Sequence, residues 1–189
     1  EVLIAAYSQG LFPMPYEIDG LESAIGWWSP AQRAIFHPSD VVVSNSLKKS
    51  MSRFSITVNC DFEAVITACA DPRREGGWIN QEVITAFCKL HELGRAHSVE
   101  VRDTAGQLVG GLYGVEIGGV FAGESMFHFT TDASKAALVH LASTLNDGSG
   151  RIIDTQWMTD HLRSLGAKSI SREEYCANLP NLLHLPPKF

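Results

Sequence analysis

The run from Gly110 to Phe129 (Gly-Gly-Leu-Tyr-Gly-Val-Glu-Ile-Gly-Gly-Val-Phe-Ala-Gly-Glu-Ser-Met-Phe-His-Phe) does most to limit what this chain can fold into. Apolar residues alternate on either side of Gly118-Gly119, which predicts a β-hairpin and so a sheet with antiparallel strands. The hairpin carries one awkward residue. Glu124 stands between Gly123 and Ser125, with Phe121, Met126 and Phe127 nearby. A charge held away from water costs free energy, so such an acid needs a cationic partner or a task. Glycines at 110, 111, 114 and 123 also let another group approach the backbone closely. On this segment alone a second reading stays open, an ordinary hairpin with Glu124 turned to solvent.

A second run, Arg151-Ile-Ile-Asp-Thr-Gln156, reads as a buried strand whose end turns polar. At strand spacing Asp154 and Gln156 project from the same face. An acid beside an amide there can orient an amine nucleophile or help polarise a carbonyl. The other open reading makes Asp154 the N-cap of a helix running on through Trp157, Met158 and His161.

The 189 residues suffice for one good core with a small appended lobe. A 45% hydrophobic and 19% charged chain is ordinary for a globular protein. No apolar run reaches membrane-spanning length and no signal peptide is visible. Cys60, Cys69, Cys88 and Cys176 form no CxxC pair and lie in apolar patterns. That spacing favours a reducing, cytoplasmic setting over a disulfide frame. The histidines form no HExxH set, so no metal is expected.

A net charge of −6 argues mildly against nucleic acid, yet cations cluster locally. Ser44 to Phe54 reads as a short amphipathic helix, with Leu47, Met51 and Phe54 inward and Lys48, Lys49 and Arg53 outward. A solvated face is the plain meaning of such a trio; a phosphate-binding patch is the other.

Elsewhere the pattern predicts a helix ending near Gly10, an extended linker at Phe12-Pro-Met-Pro15, and an acidic loop over Ile18–Ile25. Short strands follow at Val41–Val43 and Ile56–Val58. A helix through Phe62, Val65, Ile66 and Cys69 is capped at Asp61 and broken by Pro72–Gly77. Another, holding Val83 to His91, stops at Gly94. Strands are expected at His97–Arg102, Leu108–Ile117 and Val120–Phe129, and a helix over Ala133–Leu145 capped by Asp132. Strand Ile152–Thr155, a helix ending at Gly166 and strand Lys168–Ile170 come next. Ser171-x-x-Glu174 has the form of a capping box for the last helix. Trp28 and Trp78 are read as loop residues.

Ordered motifs over nearly the whole chain resemble the leucyl/phenylalanyl-tRNA–protein transferase family. They include Gly10-Leu-Phe-Pro13, Trp27-Trp-Ser-Pro30, Trp78-Ile79, Leu90-His-Glu-Leu-Gly94, Gly123-Glu-Ser-Met-Phe127, Ile153-Asp-x-Gln156 and Ser164-Leu-Gly-Ala167. The resemblance implies an α/β (α+β) chain with a GNAT-like, mixed, mostly antiparallel sheet and flanking helices. A small N-terminal lobe over 1–59, with further chain before it in family members, would precede a catalytic domain over 60–189. The implied reaction moves Leu or Phe from aminoacyl-tRNA to the α-amine of proteins starting with Lys or Arg, marking them for degradation. An aminoacyl ester is already activated, so no cofactor is expected.

On that resemblance Asp154 would orient the acceptor amine and Gln156 would bond the reacting centre, while Glu124 would meet the donor's α-ammonium. Leu112, Phe121, Gly123, Met126, Leu141, Leu145 and Ile153 would form the aminoacyl pocket, some of them serving only as core. Trp28 and Trp78 would stack on the 3′-terminal adenosine, and Lys48, Lys49 and Arg53 would meet the acceptor stem. The rival readings are an acyl-CoA-dependent acetyltransferase and a non-catalytic adaptor for basic N-termini. Against the first, Phe129–Lys135 lacks the glycines of a pyrophosphate-binding turn, and Arg73–Trp78 is a near miss.

Overall fold

The computed structural model describes residues 1–16, 24–73 and 77–189. Most of the expected acidic loop over 18–25, and part of the breaker over 72–77 and of the near-miss turn at Arg73–Trp78, lie outside them. A large sheet runs in the order β4 (Ser55–Val58), β5 (Ala96–Arg102), β6 (Leu108–Ile117), β7 (Val120–His128), β8 (Ile152–Gln156), β3 (Gln32–Phe36), β9 (Lys168–Ser171). Every neighbouring pair is antiparallel except β7 and β8. The sheet is therefore mixed and mostly antiparallel, as the sequence resemblance implies.

The β6–β7 hairpin sets the register. Gly118 adopts φ +59, which a two-residue turn between Ile117 and Val120 needs and glycine supplies without strain. Helices cover both faces of β6, so it is buried almost throughout. Leu112 packs with α5 (Ala133–Leu145), while Tyr113 and Val115 join the core against α3 (Phe62–Cys69) and α4 (Gln81–Glu92). Two apolar cores therefore flank one sheet. At Gly114 an added Cβ would collide with the Phe121 ring and the Ala122 carbonyl oxygen, so the close approach that glycine allows is the protein's own.

Differences from expectation cluster near the N-terminus. After α1 (Val2–Tyr7), Phe12-Pro-Met-Pro-Tyr16 is not a linker but β1, paired with β2 (Ala24–Trp28) in a separate two-stranded sheet. Prolines suit such an edge because no further strand needs their missing N–H. Trp28 accordingly sits in a strand. Val41–Val43 forms no strand; it follows a 3-10 turn at Pro38–Asp40, and Val42 N–H donates to the Leu165 carbonyl. The strand lies earlier, at β3, whose Arg33 to Phe36 are all buried. A division at residue 59 therefore does not follow strand pairing. Both β3 and β4 precede it and belong to the large sheet, because their apolar residues need a paired, covered position.

Caps held unevenly. Ser171 Oγ accepts from Glu174 N–H at the start of α7 (Arg172–Leu183), but Asp61 and Asp132 make no side-chain cap. Among the described residues no helix is long and apolar enough to cross a membrane.

Candidate active site

The parallel pairing of β7 with β8 covers only Val120–Ala122 against Ile152–Asp154. Where it stops, both strands bulge. Opposite β6, Tyr113 pairs with Ser125 and Gly114 with Gly123, leaving Glu124 as the extra residue. Opposite β3, Ala34 pairs with Gln156 and Ile35 with Asp154, leaving Thr155 as the extra one. A bulge breaks the two-residue alternation and re-aims the side chains beside it. Between the parting strands lies a cavity of about 170 Å³. Leu112, Met126, Leu138, Leu141, Ile153 and Leu162 give it apolar walls, and Glu124 and Gln156 face into it.

Glu124 reaches solvent only in part, and protein surrounds it. Burial pushes its pKa up to about 8; the Tyr7 hydroxyl and, more weakly, Arg33 oppose this, while the charge of Asp154 adds to it. The Tyr7 hydroxyl is itself buried and makes no hydrogen bond of ordinary geometry, which leaves burial in command. Gln156 Nε2 approaches Glu124 Oε1 at 3.5 Å. Gln156 also holds φ +61, a left-handed conformation that costs a non-glycine residue on the order of 1–2 kcal/mol.

Asp154 is what holds it there. Its Oδ1 accepts from Arg33 Nε (2.9 Å) and from the Gln156 backbone N–H (3.0 Å). Its Oδ2 accepts from Arg33 Nη2 (2.6 Å) and the Tyr175 hydroxyl (3.0 Å). Arg33 in turn lies over the rings of Phe12 and Tyr175 and donates to the Gly10 carbonyl oxygen. Asp154 is 0% exposed and does not line the cavity. The expected common face of Asp154 and Gln156 is thus corrected: the bulge turns Gln156 into the cavity, and Asp154 stays against Arg33. Nor is Asp154 a helix cap, since Thr159 caps α6 (Asp160–Ser164).

Of the expected pocket residues, Leu112, Gly123, Met126, Leu141 and Ile153 line the cavity with Glu124. Phe121 and Leu145 do not; both are buried in the core, Phe121 against Gly114 and Leu145 near the end of α5. Leu138 and Leu162 complete the wall. Leu138 was legible as one helical turn before Leu141, whereas nothing in the sequence marks Leu162 or the partners Arg33 and Tyr175.

Trp28 lies on β2, 41% exposed, its Nε1–H donating to the Met14 carbonyl oxygen. Trp78 is half-buried against the core that contains Phe87. Neither lines the cavity. Lys48, Lys49 and Arg53 are exposed on and just after α2 (Asn45–Met51), which packs against α5, with Leu47 buried and Met51 against the core that holds α5. Glu100 is fully buried, accepting from Thr57 and Ser98 hydroxyls, and Asp160 is exposed.

Parallel strands parting over an apolar chamber, with an acid and an amide facing its interior, are an arrangement suited to acyl-group transfer. Comparison with known proteins makes this specific. Residues 35–180 match the family model for leucyl/phenylalanyl-tRNA protein transferase, and residues 1–31 match that of its N-terminal domain. The leucyl/phenylalanyl-tRNA–protein transferase of Idiomarina loihiensis is 47% identical over 181 residues, 94% of this chain and 75% of its own. That of Afipia carboxidovorans is 45% identical over 193 residues, 100% of this chain and 84% of its own. A conserved protein of unknown function from Bacteroides thetaiotaomicron shares the fold at TM-score 0.52 and 12% identity, over 71% of this chain and 53% of its own. The chain belongs to the leucyl/phenylalanyl-tRNA–protein transferase family, enzymes that take an aminoacyl-tRNA donor and a protein acceptor.

Proposed function

We propose that the cavity between β7 and β8 receives the Leu or Phe side chain of the charged tRNA, and that the acceptor is a protein beginning with Lys or Arg. The observation that carries this is the combination of apolar walls with Glu124 and Gln156 in a single chamber of about 170 Å³. The donor's α-ammonium meets Glu124, which leaves the ester carbonyl near Gln156. The acceptor's α-amine, with an unperturbed pKa of about 7.7–8.0, attacks that carbonyl once deprotonated; the amide C–N bond forms as the ester C–O bond breaks, and the ribose oxygen leaves as a hydroxyl with a proton the amine gives up. Gln156 hydrogen-bonds the reacting centre. Asp154 acts through it as a positioning residue, since each of its oxygens already accepts two hydrogen bonds.

Trp28 and Trp78 are assigned to the terminal adenosine, and Lys48, Lys49 and Arg53 to the acceptor stem. The exposure of Trp28 supports its part; Trp78 is half-buried. The setting is the bacterial cytoplasm, where the transferred residue marks its carrier for degradation.

The test is transfer of labelled Leu or Phe from charged tRNA to otherwise identical proteins starting with Arg, Lys or Ala. Labelling of the first two and not the third is expected. Glu124→Gln should weaken use of the donor more than of the acceptor, and Gln156→Ala should lower the rate constant at saturating donor by about 10²-fold. Equal labelling of all three proteins would overturn the acceptor assignment. A CoA-dependent enzyme would acetylate instead, and an adaptor would bind peptide without transfer.

A further inference from the structure

We infer that the open groove beside the donor cavity holds the unpaired nucleotides that precede the tRNA's terminal adenosine, with Phe129 as the surface on which one of their bases stacks. This deepens the transfer reading and rests on it. The groove, about 780 Å³, runs between the end of β7, the start of α5 and α6, and is lined by Met126, His128, Phe129, Ser134 and His161 among others. Met126 lines the donor cavity as well, so the two spaces adjoin.

An amino acid seated in the cavity remains esterified to its ribose. The nucleotide chain must therefore leave through an open side, and this groove offers one. Close by in the chain, Asp132 ties the start of α5 to the basic helix: Ser50 Oγ on α2 donates to Asp132 Oδ2 at 2.8 Å, and Lys135 Nζ on α5 contacts Asp132 Oδ1 at 2.8 Å. That contact brings α2, with Lys48 and Lys49, to the same end of α5. The cavity adjoins the groove at Met126, and the groove reaches the start of α5, to which α2 is tied, an arrangement that suits amino acid, single strand and stem in turn.

The groove's chemistry fits such an occupant. Phe129 is 61% exposed although apolar, and Phe127 supports it with ring centroids 5.1 Å apart. A ring braced on one side and open on the other is what an unstacked base needs. The His128 and His161 imidazoles offer hydrogen bonds for ribose and phosphate, with the buried Ser134 hydroxyl 3.5 Å from His128 Nδ1. A basic acceptor side chain finds less here, because Asp71 on the rim is already paired with Arg73 at 2.6 Å.

The experiment compares three phenylalanyl donors with the full chain: charged tRNA, Phe esterified to the trinucleotide CCA, and Phe esterified to adenosine. In Phe129→Ala the ratio of kcat/KM for the trinucleotide ester over the adenosine ester should fall about 10-fold, the scale of one lost base–aromatic stack. Phe129→Trp should keep it. Phe129 is a surface side chain, so the fold should tolerate both changes. An unchanged ratio in Phe129→Ala, alongside normal wild-type transfer, would overturn the groove assignment alone. So would a raised KM for acceptor peptide in place of the donor effect. Failure of the wild type with charged tRNA would remove the transfer reading and this one with it.

Discussion

A carboxyl at about pKa 8 is mostly neutral at pH 7, so Glu124 carries little charge until a cation meets it. An α-ammonium arriving beside it favours the ionised form, and donor binding should release a proton. Use of charged tRNA should therefore improve as pH rises from about 6 toward 8, then decline as the donor amine loses its own proton. Glu124→Gln should remove the share of the rising limb that Glu124 supplies and leave that of the acceptor amine, which kcat/KM profiles of parent and variant against donor would show. The same shift acts on stability. The folded chain keeps this proton up to about pH 8, whereas the unfolded one releases it near 4.5, so the stabilisation is complete below 4.5 and is lost as pH climbs to 8. Glu124→Gln should then melt at a higher temperature than the parent at pH 8 and close to it at pH 4.5. The difference at the alkaline end is on the order of a few kcal/mol. A parent whose melting temperature is flat across that range, relative to the variant, would contradict the buried-acid account.

Element by element, the donor chamber is closed on its outer side by α6, a helix none of whose residues is fully buried. Leu162 is its contribution to the wall. Leu162→Ala should widen the chamber at little cost to the fold and shift competition between Leu- and Phe-charged tRNA toward Phe. The size of the change follows from a few methylenes at about 1–3 kcal/mol each. An unaltered donor ratio would mean that α6 does not bound the side chain. The long elements were legible beforehand: β6 and α5 have the boundaries their periodicity indicates, since each carries enough apolar repeats to define its face. The two bulges were not. One extra residue in a strand leaves no trace in an alternation pattern, yet it decides that Gln156 enters the cavity and Asp154 does not. Val41–Val43 misleads because branched residues look like a strand when the backbone bond that Val42 makes, to Leu165, is invisible in sequence. β3 is hidden for the opposite reason: an arginine among its four buried residues masks the strand, and only its partner 121 positions away explains it.

For the molecule as a whole, that pair is the junction. Arg33 gathers the Gly10 carbonyl and the Phe12 ring from the N-terminal segment, Tyr175 from α7, and Asp154 from β8. The charge and hydrogen bonds of Asp154 outweigh the burial that would lower the guanidinium's pKa, and hold it above the ordinary value. The fork of two bonds is one that lysine cannot reproduce. Breaking it from one side leaves a buried charge unpaired, so Arg33→Met should cost about 3–5 kcal/mol of stability. Replacing both partners with apolar groups of similar bulk should cost far less, because the desolvation of two charges is removed along with their attraction. The double variant Arg33→Met with Asp154→Leu therefore separates two roles. If the pair only holds the N-terminal segment to the sheet, restored melting should bring restored transfer. If it positions Gln156, the double variant should melt near the parent temperature and still transfer slowly. The Gln156 N–H would have lost the carboxylate that keeps it at φ +61, and nothing apolar can replace that bond. The second outcome is expected, with kcat reduced and the KM for charged tRNA little changed, since the donor chamber lies on the other face of the sheet. Parent-level turnover in the well-folded double variant would reduce Asp154 to a structural counter-ion.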